Sequence, residues 1–422
     1  MTKALYDIEP YNTDFDAIIL ESVKVDDDKY EIVLDQTQFF PEQGGQTPDV
    51  GIMEVQEGKT QLSIRKCQQF EVVDVQIRKD EIYHTICPIF EDENAAGELS
   101  EEEKKNRDAK IERLLSPGNN VNGFVDWNHR FSNMQQHTGE HIFSGLVHGT
   151  FGYDNVGFHL SDSVVTMDFN GVITPEQIRD IETRANEVIY ENKEVEISYL
   201  KTDEEKESLD YRSKIEIEGD VRIVTIPGVD VCACCAPHVK RTGEIGLLKV
   251  MSIQNYKGGV RVSILCGKRG LEAFRQADKV VSDLVNELNS PAEELLGNVL
   301  RIQQNVYDLK QSLGKYMYDD LMKQAGDIPE SEANAIIFTG EVDNKAMREC
   351  VNAMVKKHDG ICGVFAENDK GYNFIIGSKT INCTEIAALL REKCNAKGGG
   401  KSEMIQGSVQ ATKKDLMGLL QD

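Results

Sequence analysis

Two pairs of metal-ligating side chains, each pair four residues apart, constrain this chain more than anything else in it. Residues 135–143 read QQHTGEHIF, and residues 230–240 read DVCACCAPHVK. Positions i and i+4 share one face of an α-helix, so His137 and His141 can aim both imidazoles at one point. Cys234 and His238 repeat that spacing, with Cys232 and Cys235 crowded into the same turn. A tetrahedral zinc site takes four N or S donors, and the two pairs together would complete one. Any fold that uses both must bring a helix against a distant turn, across several predicted strands.

Each pair alone has a plainer reading. In a zinc protease the signature is H-E-x-x-H, with the glutamate after the first histidine. Here Glu140 stands directly before the second histidine, which counts against that chemistry. Two helical histidines with no ligand remain an alternative for the first pair. Catalytic zinc usually keeps three protein ligands and an open position, so four donors also suit a structural staple.

The rest of the chain sets wider bounds. At 422 residues there is room for roughly two to four domains. No apolar run approaches the ~18 residues of a membrane span. The start, MTKALYDIEPYN, has no signal-peptide core, so the expected location is cytoplasmic. Ten cysteines in that compartment read as thiols or metal ligands. A net charge of −25 argues against a surface that coats nucleic acid broadly, but leaves local basic patches open.

The pattern predicts an α+β chain. Strand-like runs such as DAIILESVKV and KYEIVLDQTQFF predict a small β-barrel-like domain over residues 1–117, with a charged, solvated helical insertion at 92–117. Residues 118–268 read as an α/β zinc-binding domain, with its histidine helix over 131–147. A second helix there is capped by Thr174 with Pro175 at its first position. Residues 269–326 carry two apolar seams, Leu271 to Leu288 and Leu295 to Tyr316, at steps of three and four. SPAE at 290–293 offers a Ser cap, a Pro at the first position and a Glu at the capping-box position. The expectation is a helical hairpin or coiled coil whose apolar surface packs on its own chain or on a second copy. Residues 327–422 read as a separate α/β unit, β-α-β-β-α, followed by GGGKSEMIQGS and a last helix.

These residues also carry a resemblance. HTGEH followed by CCAPHVKRTGEIG resembles the editing domain of alanyl-tRNA synthetase, and more closely the free-standing alanyl-tRNA editing proteins of the AlaX type. TQFFPEQGGQTPDVG is similar to that family's T-x-F-Y-P-E-x-G-G-Q-x-x-D-x-G segment. GGGKSEMIQGS resembles the G-G-G-R-x-x-M-A-Q-G segment of the DHH-associated domain that ends the synthetase. The likeness covers nearly the whole chain, as in the long form of the family.

The resemblance implies Zn2+ held by His137, His141, Cys234 and His238. It implies hydrolysis of the ester in Ser-tRNA or Gly-tRNA carrying the alanine acceptor, with tRNA as partner and no aminoacylation. No G-x-x-x-x-G-K-[S/T] loop occurs in the sequence. Thr37 occupies the family position associated with serine discrimination, although a locally bonded strand threonine is the alternative. Gly44 and Gly45 let backbone approach a substrate closely, or simply make a turn. Gln46 is expected at the terminal adenosine, and His159 either lines the cleft or packs in the core. Gly398, Gly399, Gly400 and Lys401 read as a backbone nest for tRNA phosphate, with a flexible turn as the competing account. Two departures stand out. Ala236-Pro237 replaces the G-T of C-x-G-T-H, which loses a hydroxyl near the metal, and Lys401 replaces an arginine. A tRNA-binding module with a structural zinc, or a deacylase for another aminoacyl-tRNA, are the alternatives.

Overall fold

Strand Asp14–Asp26 buries Phe15, Ala17 and Ile19 and exposes the residues between them, the period-two pattern of a half-buried strand. The computed structural model describes residues 2–56, 67–90, 101–213 and 219–421, arranged in two compact units, Met1–Val280 and Val281–Asp422.

In the first unit, antiparallel strands close a barrel in the order Asp14–Asp26, Lys29–Leu34, Glu81–Pro88, Cys67–Arg78, Gly51–Gln56 and Asn120–Val125. Closure leaves no unpaired edge. The expected barrel is present, but its boundary moves. Strand Asn120–Val125, which the sequence reading placed in the next domain, is the one that closes the ring. The charged insertion lies in part outside the described residues. Helix Glu101–Leu114 sends Ile111 and Leu114, with Leu115 after it, into the barrel core. Its exposed side ties down through Lys24 to Asp108 at 2.6 Å. Residues 102–106, 109, 110, 112 and 113 are exposed, so the described helix is largely solvated, and only its C-terminal apolar residues are seated on the core.

Helix Trp127–Phe151 is the axis of the rest of this unit. Asp126 caps it by accepting from the backbone N–H of Asn128 and His129, and Gly152, at φ 68°, ends it. The helix runs past both predicted ends and is buried on nearly every side. Ile142, Phe143 and Val147 pack with Ile178, Ile181 and Val188 of helix Pro175–Glu191, whose predicted Thr174 cap is present and is completed by Gln177 into a capping box. A four-stranded antiparallel sheet, ordered 248–256, 259–266, 165–169 and 155–160, covers one side, and a three-stranded sheet, 196–200, 221–226 and 230–233, lies beside it.

Buried polar residues on this helix each meet a partner. Arg130, fully buried, donates to both oxygens of Asp49 and to the carbonyl of Pro10 at 2.9 Å, which fastens the helix to the barrel. Gln136 both donates to and accepts from the backbone of Cys266. At the N-terminal end Trp127 stacks on Phe131, and its ring lies 5.3 Å from that of Tyr11. The Tyr11 hydroxyl donates to Glu244 and accepts from the N–H of Lys240.

In the second unit, a five-stranded sheet runs in the order 335–339, 362–368, 371–377, 404–409 and 397–401, with helices Asn344–Lys357, Cys383–Cys394 and Lys413–Gln421. The expected β-α-β-β-α order is present. GGGK is an exception: Lys397–Lys401 is an extended edge strand paired with Met404–Val409, not a nest. A nest needs successive N–H groups turned inward, whereas these residues are straightened by the ladder. A Cβ on Gly398 would stand 2.2 Å from the carbonyl oxygen of Gln406, which is why side chains are absent.

Helices Gly267–Leu288 and Leu295–Asp327 are joined at 289–294. The predicted capping box does not form. Ser290 binds Asn298, Pro291 is extended, and a short 3-10 turn, Ala292–Glu294, leads into the long helix. Their seam residues, among them Leu271, Phe274, Leu284, Val306 and Leu313, are exposed. Among the described residues, no helix is long and apolar enough to cross a membrane.

Candidate metal centre

The two sequence pairs meet. His137, His141, Cys234 and His238 each present a ligand atom, all within 4.8 Å of one another, and the three histidines are buried. The first two come from helix Trp127–Phe151 and the others from the turn after strand Asp230–Ala233. Cys234 Sγ lies 3.5 Å from His137 Nε2 and 3.3 Å from His238 Nε2. Zinc bonds of about 2.3 Å to sulfur and 2.0 Å to nitrogen, at the tetrahedral angle, span an N···S edge of about 3.5 Å. The donor set therefore fits a tetrahedral ion.

Hydrogen bonds fix the tautomer of each histidine. His137 Nδ1 donates to Gln46 Oε1 at 2.7 Å. His141 Nδ1 donates to Asp230 Oδ2 at 2.9 Å. The Thr138 hydroxyl gives its only proton to the Met134 carbonyl, so it accepts from His238 Nδ1 at 3.0 Å. In every case Nε2 keeps its lone pair for the common point. Burial pushes the His238 pKa well below the usual range, helped by the charges of His141 and His137, and keeps it neutral as a ligand requires. Burial also opposes protonation of His141, but the Asp230 hydrogen bond together with the charges of Cys232, Glu140 and Asp230 outweighs it and raises that pKa. Asp230 is buried, which favours its neutral form, yet His141 and Arg212 hold its pKa low. Arg212 grips it with two hydrogen bonds, 2.7 and 2.9 Å long.

Only one of the three crowded cysteines joins the cluster of four. Cys235 turns toward the barrel side, 3.7 Å from where Gly44 would carry a Cβ, and burial pushes its thiol up to about 12. Cys232 is likewise raised by burial. The turn is braced by Arg222, which donates to the carbonyls of Cys234 and Ala236 at 2.7 and 3.0 Å. Ala236 is fully buried against the barrel core, so the unusual Ala-Pro pair is accommodated without displacing His238.

A cleft of about 470 Å³ opens beside the cluster, walled by His137, His141, Cys234, Phe158 and the loop Gln43–Gly45. Gly44 and Gly45 are left-handed, at φ 63° and 84°. Gly45 also passes so close to strand Asn155–Leu160 that a Cβ would meet the Phe158 oxygen at 2.6 Å, while its carbonyl accepts from Leu160 at 2.7 Å. The loop thus lines the cleft. Gln46 does not face it, because its side chain is buried under His137.

Thr37 is not in the cleft wall. It is fully buried, its hydroxyl donating to His84 Nε2 at 2.9 Å and accepting from Phe39 N–H at 3.0 Å. His84 in turn donates from Nδ1 to the Ile32 carbonyl. His159 is exposed on its strand. Gly398–Lys401 belong to the second unit and are described there alone.

Sequence reasoning dismissed Glu140 and missed Thr138, Asp230 and Arg212. Glu140 is buried, its Oε1 held by Ser144 and Asn155 at 2.7 and 2.6 Å, and its Oε2 stands 4.0 Å from His141 Nε2. Thr138 lies between the two histidines and was the one with a local signal. No spacing links Arg212 and Asp230 to the helix.

Residues 221–263, which include Cys234 and His238, match the threonyl and alanyl tRNA synthetase second additional domain. The alanyl-tRNA editing protein AlaX-M of Methanosarcina acetivorans is 32% identical over 261 residues, covering 60% of this chain and 94% of that protein. The chain belongs to the alanyl-tRNA editing protein family. Its long form is represented by AlaX-L of Pyrococcus horikoshii, 26% identical over 99% of this chain and 96% of that one. The alanine–tRNA ligase of Pyrococcus furiosus is 27% identical over 98% of the chain, which spans 42% of the ligase. This editing-family member therefore aligns along its whole length with a free-standing relative.

Proposed function

We propose that this chain hydrolyses the ester joining serine or glycine to tRNA carrying the alanine acceptor, and that it does so with zinc. The observation that supports this best is the four-donor cluster opening on a cleft beside a glycine loop. A synthetase pocket sized for alanine separates these small amino acids by only ~1–3 kcal/mol, so a second, hydrolytic inspection is the physical remedy. His137, His141, Cys234 and His238 would hold the ion. When bound, zinc supplies Lewis-acid polarisation of a carbonyl or a more acidic water. Glu140 Oε2 is placed to take the proton of an attacking water, while Ser144 and Asn155 orient the carboxylate. The Gly44–Gly45 backbone lets the terminal nucleotide approach the wall closely.

Supporting contacts come from the tail. Lys393, Lys397 and Lys401, with the side-chain-free strand Gly398–Gly400, form the tRNA-binding surface in this reading, and a second copy covers the exposed helical seams.

The test is deacylation of Ser-, Gly- and Ala-tRNA carrying the alanine acceptor, against Ser-tRNA carrying the threonine acceptor. The first two should be cleaved fastest. Replacing His141 with Ala should remove metal and activity together, and full zinc stoichiometry in that variant would refute the ligand set. Equal cleavage of the threonine acceptor would point to a deacylase of broader range.

A further inference from the structure

His141, Asp230 and Cys232 form a second group of potential ligands, all buried and within 4.8 Å of one another. The surroundings of Asp230 argue against a second ion there. Its Oδ1 accepts from Arg212 Nε, and its Oδ2 accepts from both Arg212 Nη2 and His141 Nδ1. A carboxylate committed to three donors, with a guanidinium across its face, has no open side for a cation.

The three ligand histidines differ in what holds them. His137 has a neutral amide, Gln46, and His238 a neutral hydroxyl, Thr138. Among the described residues, His141 is the one whose Nδ1 meets a carboxylate. A carboxylate behind a ligating imidazole makes it the stronger donor and fixes its ring. Arg212, whose side chain is 13% exposed, neutralises that carboxylate from behind.

We propose that Asp230 is the positioning residue that sets metal affinity through His141, and that Arg212 is a counter-charge that moderates it. This rests on the metal centre proposed above, but on no assumption about tRNA. Removing the anion and removing its counter-charge should then act in opposite directions. A role confined to holding the fold would make both changes weaken the site.

The experiment is zinc affinity of the full chain, by competition with a chromophoric chelator, together with the visible spectrum of the Co2+-loaded protein. Asp230→Asn should weaken zinc by about 10–100-fold and shift the cobalt bands. Thr138→Val, which removes a neutral partner of nearly the same shape, should weaken it less. Arg212→Gln, leaving the carboxylate uncompensated, should bind zinc at least as tightly as the unaltered protein. Thermal melts of the metal-free variants separate folding loss from ligand loss, and a variant that melts with the unaltered protein is read directly. If Asp230→Asn misfolds, the Arg212→Gln result decides alone. Unchanged affinity in a folded Asp230→Asn protein, or weakening in Arg212→Gln, overturns the proposal. Failure of the unaltered protein to bind zinc would instead overturn the metal centre.

Discussion

At Thr37 both hydrogen-bonding capacities of the hydroxyl are used inside the barrel, on His84 and on Phe39 N–H. Thr37→Val should therefore cost stability, about 1–3 kcal/mol for two stranded polar groups, and leave the ratio of kcat/KM for Ser- and Ala-tRNA unchanged. A changed ratio would return this residue to the discrimination role that its family position suggests. Its partner makes a pH prediction. Burial lowers the His84 pKa from its ordinary 6.5 to about 4. The unfolded chain then binds more protons between those values, so stability is full above pH 6.5 and falls as pH drops toward 4. The full loss is about 3 kcal/mol. Chemical denaturation across that window should show the slope, and His84→Gln should flatten it. At this scale the two donor pairs that cluster were legible, because i and i+4 spacing is local geometry. Their partners Asp230 and Arg212 were not, because tertiary folding alone brings them to His141.

Elements with strong periodic patterns were predicted well, and those shaped by contacts were not. The Pro175–Glu191 helix announced itself through its Thr174 cap and the proline at its first position. The GGGK stretch read as a phosphate nest, since glycine composition carries no record of a neighbouring strand, yet backbone crowding at Gln406 and Met404 makes it a ladder. Strand Asn120–Val125 was misassigned because barrel closure pairs it with Asp14–Asp26, far off in sequence. The glycine loop makes the sharpest element-level prediction. Gly45→Ala places a methyl 2.6 Å from the Phe158 oxygen, at φ 84°, and must push the loop off its strand. Because Gln46 follows immediately, zinc should bind more weakly and KM should rise. Retention of both values would mean that the loop neither supports His137 nor borders the substrate.

For the whole molecule, the tail lysines Lys393, Lys397 and Lys401 and the acidic total are reconciled if phosphate contact is local. A chain ended after Val280 retains the metal centre and the cleft, so at saturating substrate it should still deacylate. Its KM should be higher and its salt dependence shallower, since fewer phosphates are neutralised. Full-length KM in the shortened chain would show that the tail does not touch tRNA. The division into two compact units near Val280 was not readable from the sequence, because it is defined by contacts between distant residues.

Trp127 is the single tryptophan of the chain, and it sits at the head of the metal helix, against Tyr11. Tyr11 in turn grips the backbone two residues beyond His238. The fluorophore is thus linked, through Tyr11, to the segment that carries His238. Its emission, excited at the red edge of aromatic absorption, should change as the turn closes on the helix, giving a label-free optical signal for assembly of the site.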